Sequence, residues 1–141
     1  PNIKVISNGS VADILEKEGI RVETTGDNFI QIENVPHEKV FLGEPPQNAL
    51  FRVGGKLTHP GDSHHFESST EILALPVQAP WGSTTDAVNL AVKLKPKVII
   101  PIHDWHWSKE ARENMYKRLE EYFEQIGIKF IGLQTAVETE I

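Results

Sequence analysis

The 141-residue chain contains no cysteine. Disulfides and thiolate metal sites are thereby excluded, and any metal must be held by histidine and carboxylate, which points to a borderline or hard divalent ion. Positive charge is also in short supply. Fourteen Lys and Arg stand against 20 Asp and Glu, a net charge of −6 with histidine neutral, and no basic stripe could track a phosphate backbone. Nucleic acid is therefore not expected as a partner. No apolar run approaches the about 20 residues needed to span a bilayer, and no charged-then-apolar leader opens the chain. The expectation is a soluble, cytoplasmic protein without membrane contact. Low-complexity linkers and short-period repeats are absent too, so residues 1–141 read as a single domain.

What is present, and concentrated, is histidine. The stretch "KLTHPGDSHHF", residues 56–66, places His59, Asp62, His64 and His65 around a Gly-Asp turn. Its surroundings alternate strand and helix. "IKVISN" reads as a short strand and "GSVADILEKEGI" as a helix, with Ser10 and Asp13 forming a capping box, Val11, Ile14 and Leu15 sharing a face, and Gly19 as a left-handed stop. "RVETTGDNFIQIENV" reads as two strands about the turn "TGDN", with Ile30 and Ile32 alternating against Gln31 and Glu33, and it ends at His37. "EKVFLGEPPQN" is a Pro/Gly loop shaped by Pro45 and Asn48, and "ALFRVGG" is a strand that leads into the histidine-rich stretch. Loops at strand ends are where sites are built.

The second half repeats the alternation. "EILALPV" is a continuous apolar strand, "APWGS" a turn, and "STTDAVNLAVKLKP" a helix with a capping box from Ser83 to Asp86. "KVIIPIHDW" has the unbroken apolar character of a parallel strand covered on both faces, and it delivers His103 at its carboxyl end. A last helix over about residues 108–125 sets Met115, Leu119, Tyr122, Phe123 and Ile126 at helical spacing and stops at Gly127. "IKFIGLQ" and "AVETEI" read as a closing strand pair. The architecture expected is α/β, a mixed sheet flanked by helices.

His37, Asp62 and His103 each follow a strand, and strand carboxyl ends can converge on the rim where open α/β sheets bind ligands. Imidazole and carboxylate suit zinc or manganese, and the two oxygens of one aspartate can bridge two ions. Ordinary structural roles compete with this reading. Aspartate after glycine is a common turn residue, and a histidine closing an apolar strand can be a buried imidazole with one partner.

The segments "VPHE", "THPGDSHHF", "LALPVQAPWGS" and "DAVNLAVKLKPKVIIPIHDW", with the final strand pair, resemble the C-terminal half of metallo-β-lactamase-fold metal-dependent hydrolases, in particular a lactonase-like bacterial branch. The resemblance implies half of an αββα sandwich and two divalent metal ions, zinc first and manganese second. By position it makes His37 a ligand of one metal, His103 a ligand of the other, and Asp62 the bridging, catalytic carboxylate. His59 receives no ligand role. His64, His65, Trp105 and His106 are candidates for facing a small-molecule substrate; solvated loop residues are the simpler reading of His64 and His65, and aromatics packing the start of the last helix explain Trp105 and His106 equally simply.

One family feature is missing: no stretch has the spacing His-x-His-x-Asp-His. In the family that motif precedes the helix corresponding to "SVADILEKEG". The expectation is therefore a C-terminal portion whose N-terminal half lies upstream of Pro1, inactive by itself. Its exposed apolar face and sheet edge would be met by that half or by self-association. Three function classes follow: a hydrolase of small esters, lactones or related substrates when complete, a non-catalytic binding or assembly module on the same fold, and a nuclease, which the acidic balance disfavours.

Overall fold

A computed structural model describes residues 3–141. The elements in order are β1 (Val5–Ile6), α1 (Gly9–Lys17), β2 (Val22–Glu23), β3 (Ile30–Val35), β4 (Asn48–Val53), β5 (Leu57–His59), β6 (Ile72–Pro76), α2 (Thr84–Leu94), β7 (Val98–Ile102), α3 (Lys109–Gln125) and β8 (Lys129–Phe130). Strands β3 to β8 form one six-stranded sheet in sequential order. The pairs β3/β4 and β4/β5 are antiparallel, and those from β5 through β8 are parallel. Two reversals leave β3 pointing the same way as β5, so the carboxyl ends of β3, β5, β6 and β7 share one rim. Among the described residues, no helix is long and apolar enough to cross a membrane.

Helix boundaries follow local chemistry. Ser83 caps α2, its Oγ accepting from the Asp86 N–H at 3.1 Å and donating to Asp86 Oδ2 at 2.6 Å, as the Ser-x-x-Asp pattern predicts. Ser108 caps α3 by accepting from the Ala111 N–H. At its other end Gly127, with φ +77°, lets the Ile128 N–H turn back to the Phe123 carbonyl. The cap of α1 is Asn8 rather than Ser10: Asn8 Oδ1 accepts both the Val11 N–H and the Ser10 hydroxyl, so Ser10 is a donor to the cap. Asn8 is also tied to the Gln47 carbonyl, a long-range anchor that local sequence does not reveal.

Three strand expectations are corrected. β2 and β3 are not a hairpin, because β2 pairs in parallel with β1 in a separate two-stranded sheet while β3 joins the main sheet. The histidine-rich stretch begins as a strand, β5, too short to carry an alternation signal. The closing pair reduces to β8, which adds in parallel to β7; "AVETEI" lies outside any strand and is exposed.

The core lies on one face of the sheet. Leu73, Leu75, Ile99 and Phe130 pack there with Ala87, Leu90 and Ala91 of α2 and Leu119 and Phe123 of α3. Phe123 stacks on Phe130 at 6.0 Å between ring centres. On β7 only Ile99 and Pro101 are buried; Val98, Ile100 and Ile102 are half-buried, so the second face is covered less completely than the unbroken apolar run suggested. The apolar face read on α1 is also uncovered: Ile14 is 62% exposed, and the buried residue of that helix is Ala12.

Candidate metal centre

The common rim of β3, β5, β6 and β7 brings His37, Asp62 and His103 together. Asp62 Oδ2 lies 3.5 Å from His37 Nε2, and Asp62 Oδ1 lies 3.4 Å from His103 Nε2. Each carboxylate oxygen thus faces a different imidazole. Both separations exceed the usual 2.7–3.2 Å of an N–H···O bond. They match the edge of a tetrahedral ligand shell, about 3.3 Å when metal bonds are about 2.0–2.1 Å.

The chain builds this arrangement locally. Gly61 takes φ +63°, and a Cβ there would overlap Asn48 Oδ1, so the turn before Asp62 requires glycine. Asn48 is the first residue of β4 and buried, not a loop-shaping residue; its Nδ2 donates to the Pro60 carbonyl at 2.9 Å and its Oδ1 accepts the Asp62 N–H at 3.0 Å. His103 also has a left-handed backbone, φ +63°, a costly conformation for a residue with a Cβ. It ends β7 abruptly and swings the imidazole toward Asp62.

Hydrogen bonding sets the tautomer of His37. Its Nδ1 lies 2.6 Å from the Glu38 carbonyl oxygen, an acceptor, so Nδ1 carries the proton and the neutral ring presents a bare Nε2 lone pair. That lone pair and the Asp62 carboxylate are two acceptors facing each other, a contact stable only with a proton or a cation between them. The donor set therefore suits a divalent ion, though incompletely. Among the described residues no group of three or more His, Cys, Asp or Glu is arranged to hold a metal ion, and each half of the site offers one nitrogen and one oxygen.

The other histidines are spread around this pair. His59 accepts the Gly61 N–H at Nδ1, and burial first, then the electrostatic influence of the neighbouring His103, lowers its pKa. His64 donates from Nε2 to the Pro76 carbonyl at 2.9 Å, and His65 Nε2 lies 3.1 Å from Glu38 Oε2. Trp105, 73% exposed, and His106 form an edge-to-face pair on the exposed stretch before α3 and are not joined to Asp62. Trp107 packs against the core. Asp104, next to His103, accepts the Tyr116 hydroxyl at 2.6 Å; Arg112 Nε stands 2.7 Å from the same oxygen, with its N–H not aimed at it.

Sequence reasoning missed Trp81. Its ring centre lies 5.6 Å from His64, 5.6 Å from His103 and 6.2 Å from His37, edge-on to all three. The available signal was its place in the Pro-rich turn after β6, at the same rim as the histidines. A concavity of about 350 Å³ opens beside it, lined by Lys39, Val40, Phe41, Pro80 and Trp81. A roomier one, about 830 Å³, touches His37 but neither Asp62 nor His103, so it lies off the chemistry.

The Beta-lactamase superfamily domain matches residues 2–103. Protein Rv0786c of Mycobacterium tuberculosis is 34% identical over 81 residues, which cover 53% of this chain and 38% of that protein. Two solved structures align over 93% of this chain and 65% of their own. A protein of Parabacteroides distasonis, provisionally designated a metal-dependent hydrolase, has TM-score 0.60 at 22% identity, and Igni18, a metallo hydrolase of the archaeon Ignicoccus hospitalis, has TM-score 0.63 at 17% identity. At those identities the likeness establishes the fold alone. The chain therefore spans well under half of its curated relative and 65% of each structural neighbour. With a matching mixed sheet flanked by helices and a family match over most of its length, the chain belongs to the beta-lactamase superfamily.

Proposed function

We propose that the protein is a metal-dependent hydrolase of small esters, lactones or related substrates. The observation that supports this most directly is the pair of Nε2-to-Asp62 separations, one on each carboxylate oxygen. His37, Asp62 and His103 would hold two divalent ions, zinc or manganese. Bound there, the ions would supply Lewis-acid polarisation of the substrate oxygen and a water acidic enough to attack at neutral pH.

The chain's own groups do the rest. Asp62 spaces the two halves, and its carboxylate can accept a proton from the attacking water. His37 keeps Nε2 free because Nδ1 is committed to the Glu38 carbonyl. Trp81 stands edge-to-face with three imidazoles, where it would limit water access, and the concavity beside it suits a small apolar substituent. The remaining coordination positions would be filled by water and by donors outside these 141 residues, on adjoining chain or a second copy.

One observation favours a second reading, a non-catalytic module on this fold: the described residues hold no ready three-donor cluster. Elemental analysis of the full-length natural protein, with turnover of an ester and lactone panel, separates the two. About two metal ions per chain and hydrolysis that disappears in Asp62→Ala would support the hydrolase. A folded protein with neither metal nor turnover would leave the module.

A further inference from the structure

We infer that Glu38 is a positioning residue that holds the His37–Asp62 gap open at a separation a metal ion can enter; this rests on the reading of the rim as a metal centre. The two side chains that must share an ion belong to different segments. His37 lies at the start of residues 36–47, a stretch without regular structure whose tip carries Phe41 and Leu42, 87% and 76% exposed. Asp62 belongs to the turn after β5. No hydrogen bond joins the two side chains, because 3.5 Å is too long for one.

Glu38 supplies the connection with every polar group it has. Its N–H donates to the Asp62 carbonyl at 2.9 Å, and its own carbonyl accepts the His37 Nδ1 proton at 2.6 Å. Its carboxylate reaches the far side of the Asp62 turn, where Oε1 accepts the His64 N–H at 2.9 Å and Oε2 stands 3.1 Å from His65 Nε2. All four contacts fall on His37 or within three positions of Asp62. The Glu38 side chain is only 14% exposed, and its bond to the His64 N–H is part-buried, whereas the contact with His65 lies open to solvent.

The consequence is a gap held by backbone and carboxylate together. Without the carboxylate arm the Asp62 turn can rotate against the His37 segment. The gap would then close into a direct imidazole–carboxylate hydrogen bond, which a metal must break, or widen beyond one ion's reach. Groups that orient metal ligands in this way cost about 10–100-fold in metal affinity when removed. The requirement is for reach and an acceptor rather than charge. Glu38→Gln retains the acceptor for the His64 N–H, whereas Glu38→Asp retains charge but is one methylene too short to span the turn.

The test uses the full-length natural protein, Glu38→Gln and Glu38→Asp, titrated metal-free with zinc and with manganese against a chromophoric chelator. Crystal structures of the metal-free forms accompany the titrations. Glu38→Gln should bind within about threefold of wild type. Glu38→Asp should bind about 10–100-fold more weakly, with the His37 Nε2–Asp62 Oδ2 separation changed and the metal-free melting temperature close to wild type. Equal affinity in Glu38→Asp and wild type, or an unchanged separation, overturns the inference. Equal losses in both variants, tracked by equal losses of melting temperature, overturn it as well, since a general structural role would then suffice. If wild type binds no metal but the separation still changes in Glu38→Asp alone, the hinge role of Glu38 stands and the metal centre falls.

Discussion

At the scale of single residues, geometry at the rim depends on a few side chains other than His37, Asp62 and His103. Asn48 makes two buried amide bonds, to the Pro60 carbonyl and the Asp62 N–H. Asn48→Ala would leave both backbone partners unsatisfied, at about 1–3 kcal/mol each at most. A urea titration should show that loss, and an unchanged midpoint would remove Asn48 from the account of the turn. Asp27 gives a pH signature elsewhere. Its carboxylate accepts the Phe29 and Ile30 N–H groups and pairs with Lys4, and the Ile30 bond first, then Lys4 and Phe29, holds its pKa down at about 2. A carboxylate depressed in the fold stabilises above its unfolded value near 3.8 and loses that contribution as pH falls through about 2. The Phe29 and Ile30 amide resonances of the folded protein should therefore shift as pH falls through about 2, and Asp27→Asn should abolish that titration. His37, Asp62 and His103 could be named as candidates because each follows a strand and matches a position in the family resemblance. Trp81 and Glu38 could not, since nothing in "APWGS" or "VPHE" states which segment lies opposite.

At the scale of elements, α2 illustrates agreement between local pattern and structure. Ser83 caps it as the capping-box spacing predicts, and Ser83→Ala should cost about 1 kcal/mol, read from thermal or urea unfolding. The junction of β7 with α3 is different. Asp104 receives the Tyr116 hydroxyl and faces Arg112, bonds spanning eight and twelve positions, and it follows His103, whose backbone is left-handed. Burial, then the hydrogen bond to Asp104, pushes the Tyr116 phenol well above its ordinary pKa near 10. Because the folded value is raised, this stabilisation is complete below the unfolded pKa and is lost as pH rises beyond it. Tyr116 should resist ionisation in an alkaline absorbance titration. Asp104→Asn should bring that ionisation to lower pH; no change would mean that burial acts alone. Short strands account for most of the misread elements. β1, β2 and β8 have two residues each and β5 three, too few for any alternation to register, and they exist because a neighbouring strand offers hydrogen bonds.

For the molecule as a whole, stability rests on one apolar face shared by β6, β7, α2 and α3. Leu75, fully buried in that cluster, should cost about 2–5 kcal/mol when cut to alanine. Unfolding followed by circular dichroism and by tryptophan emission should then shift together if the sheet and the rim form one cooperative unit; separate transitions would divide them. The same sheet orders the site. Two antiparallel steps followed by parallel ones bring the carboxyl ends of five strands, β3 and β5 to β8, to one edge, and that parity decides which loops meet.

By itself the sequence determined the chemistry available and the kind of scaffold. The absence of cysteine restricted metal donors to imidazole and carboxylate, the apolar strands separated by capped helices specified a mixed α/β sheet, and four segments with the closing strands carried the family resemblance. These are properties of composition and of patterns a few residues long. Only the tertiary structure decided which donors face each other, that Asp62 presents one oxygen to each of two histidines, and that Trp81 and Glu38 belong to the same rim. Those facts depend on strand order and register, which arise from contacts between residues far apart in the chain, and no local pattern encodes them.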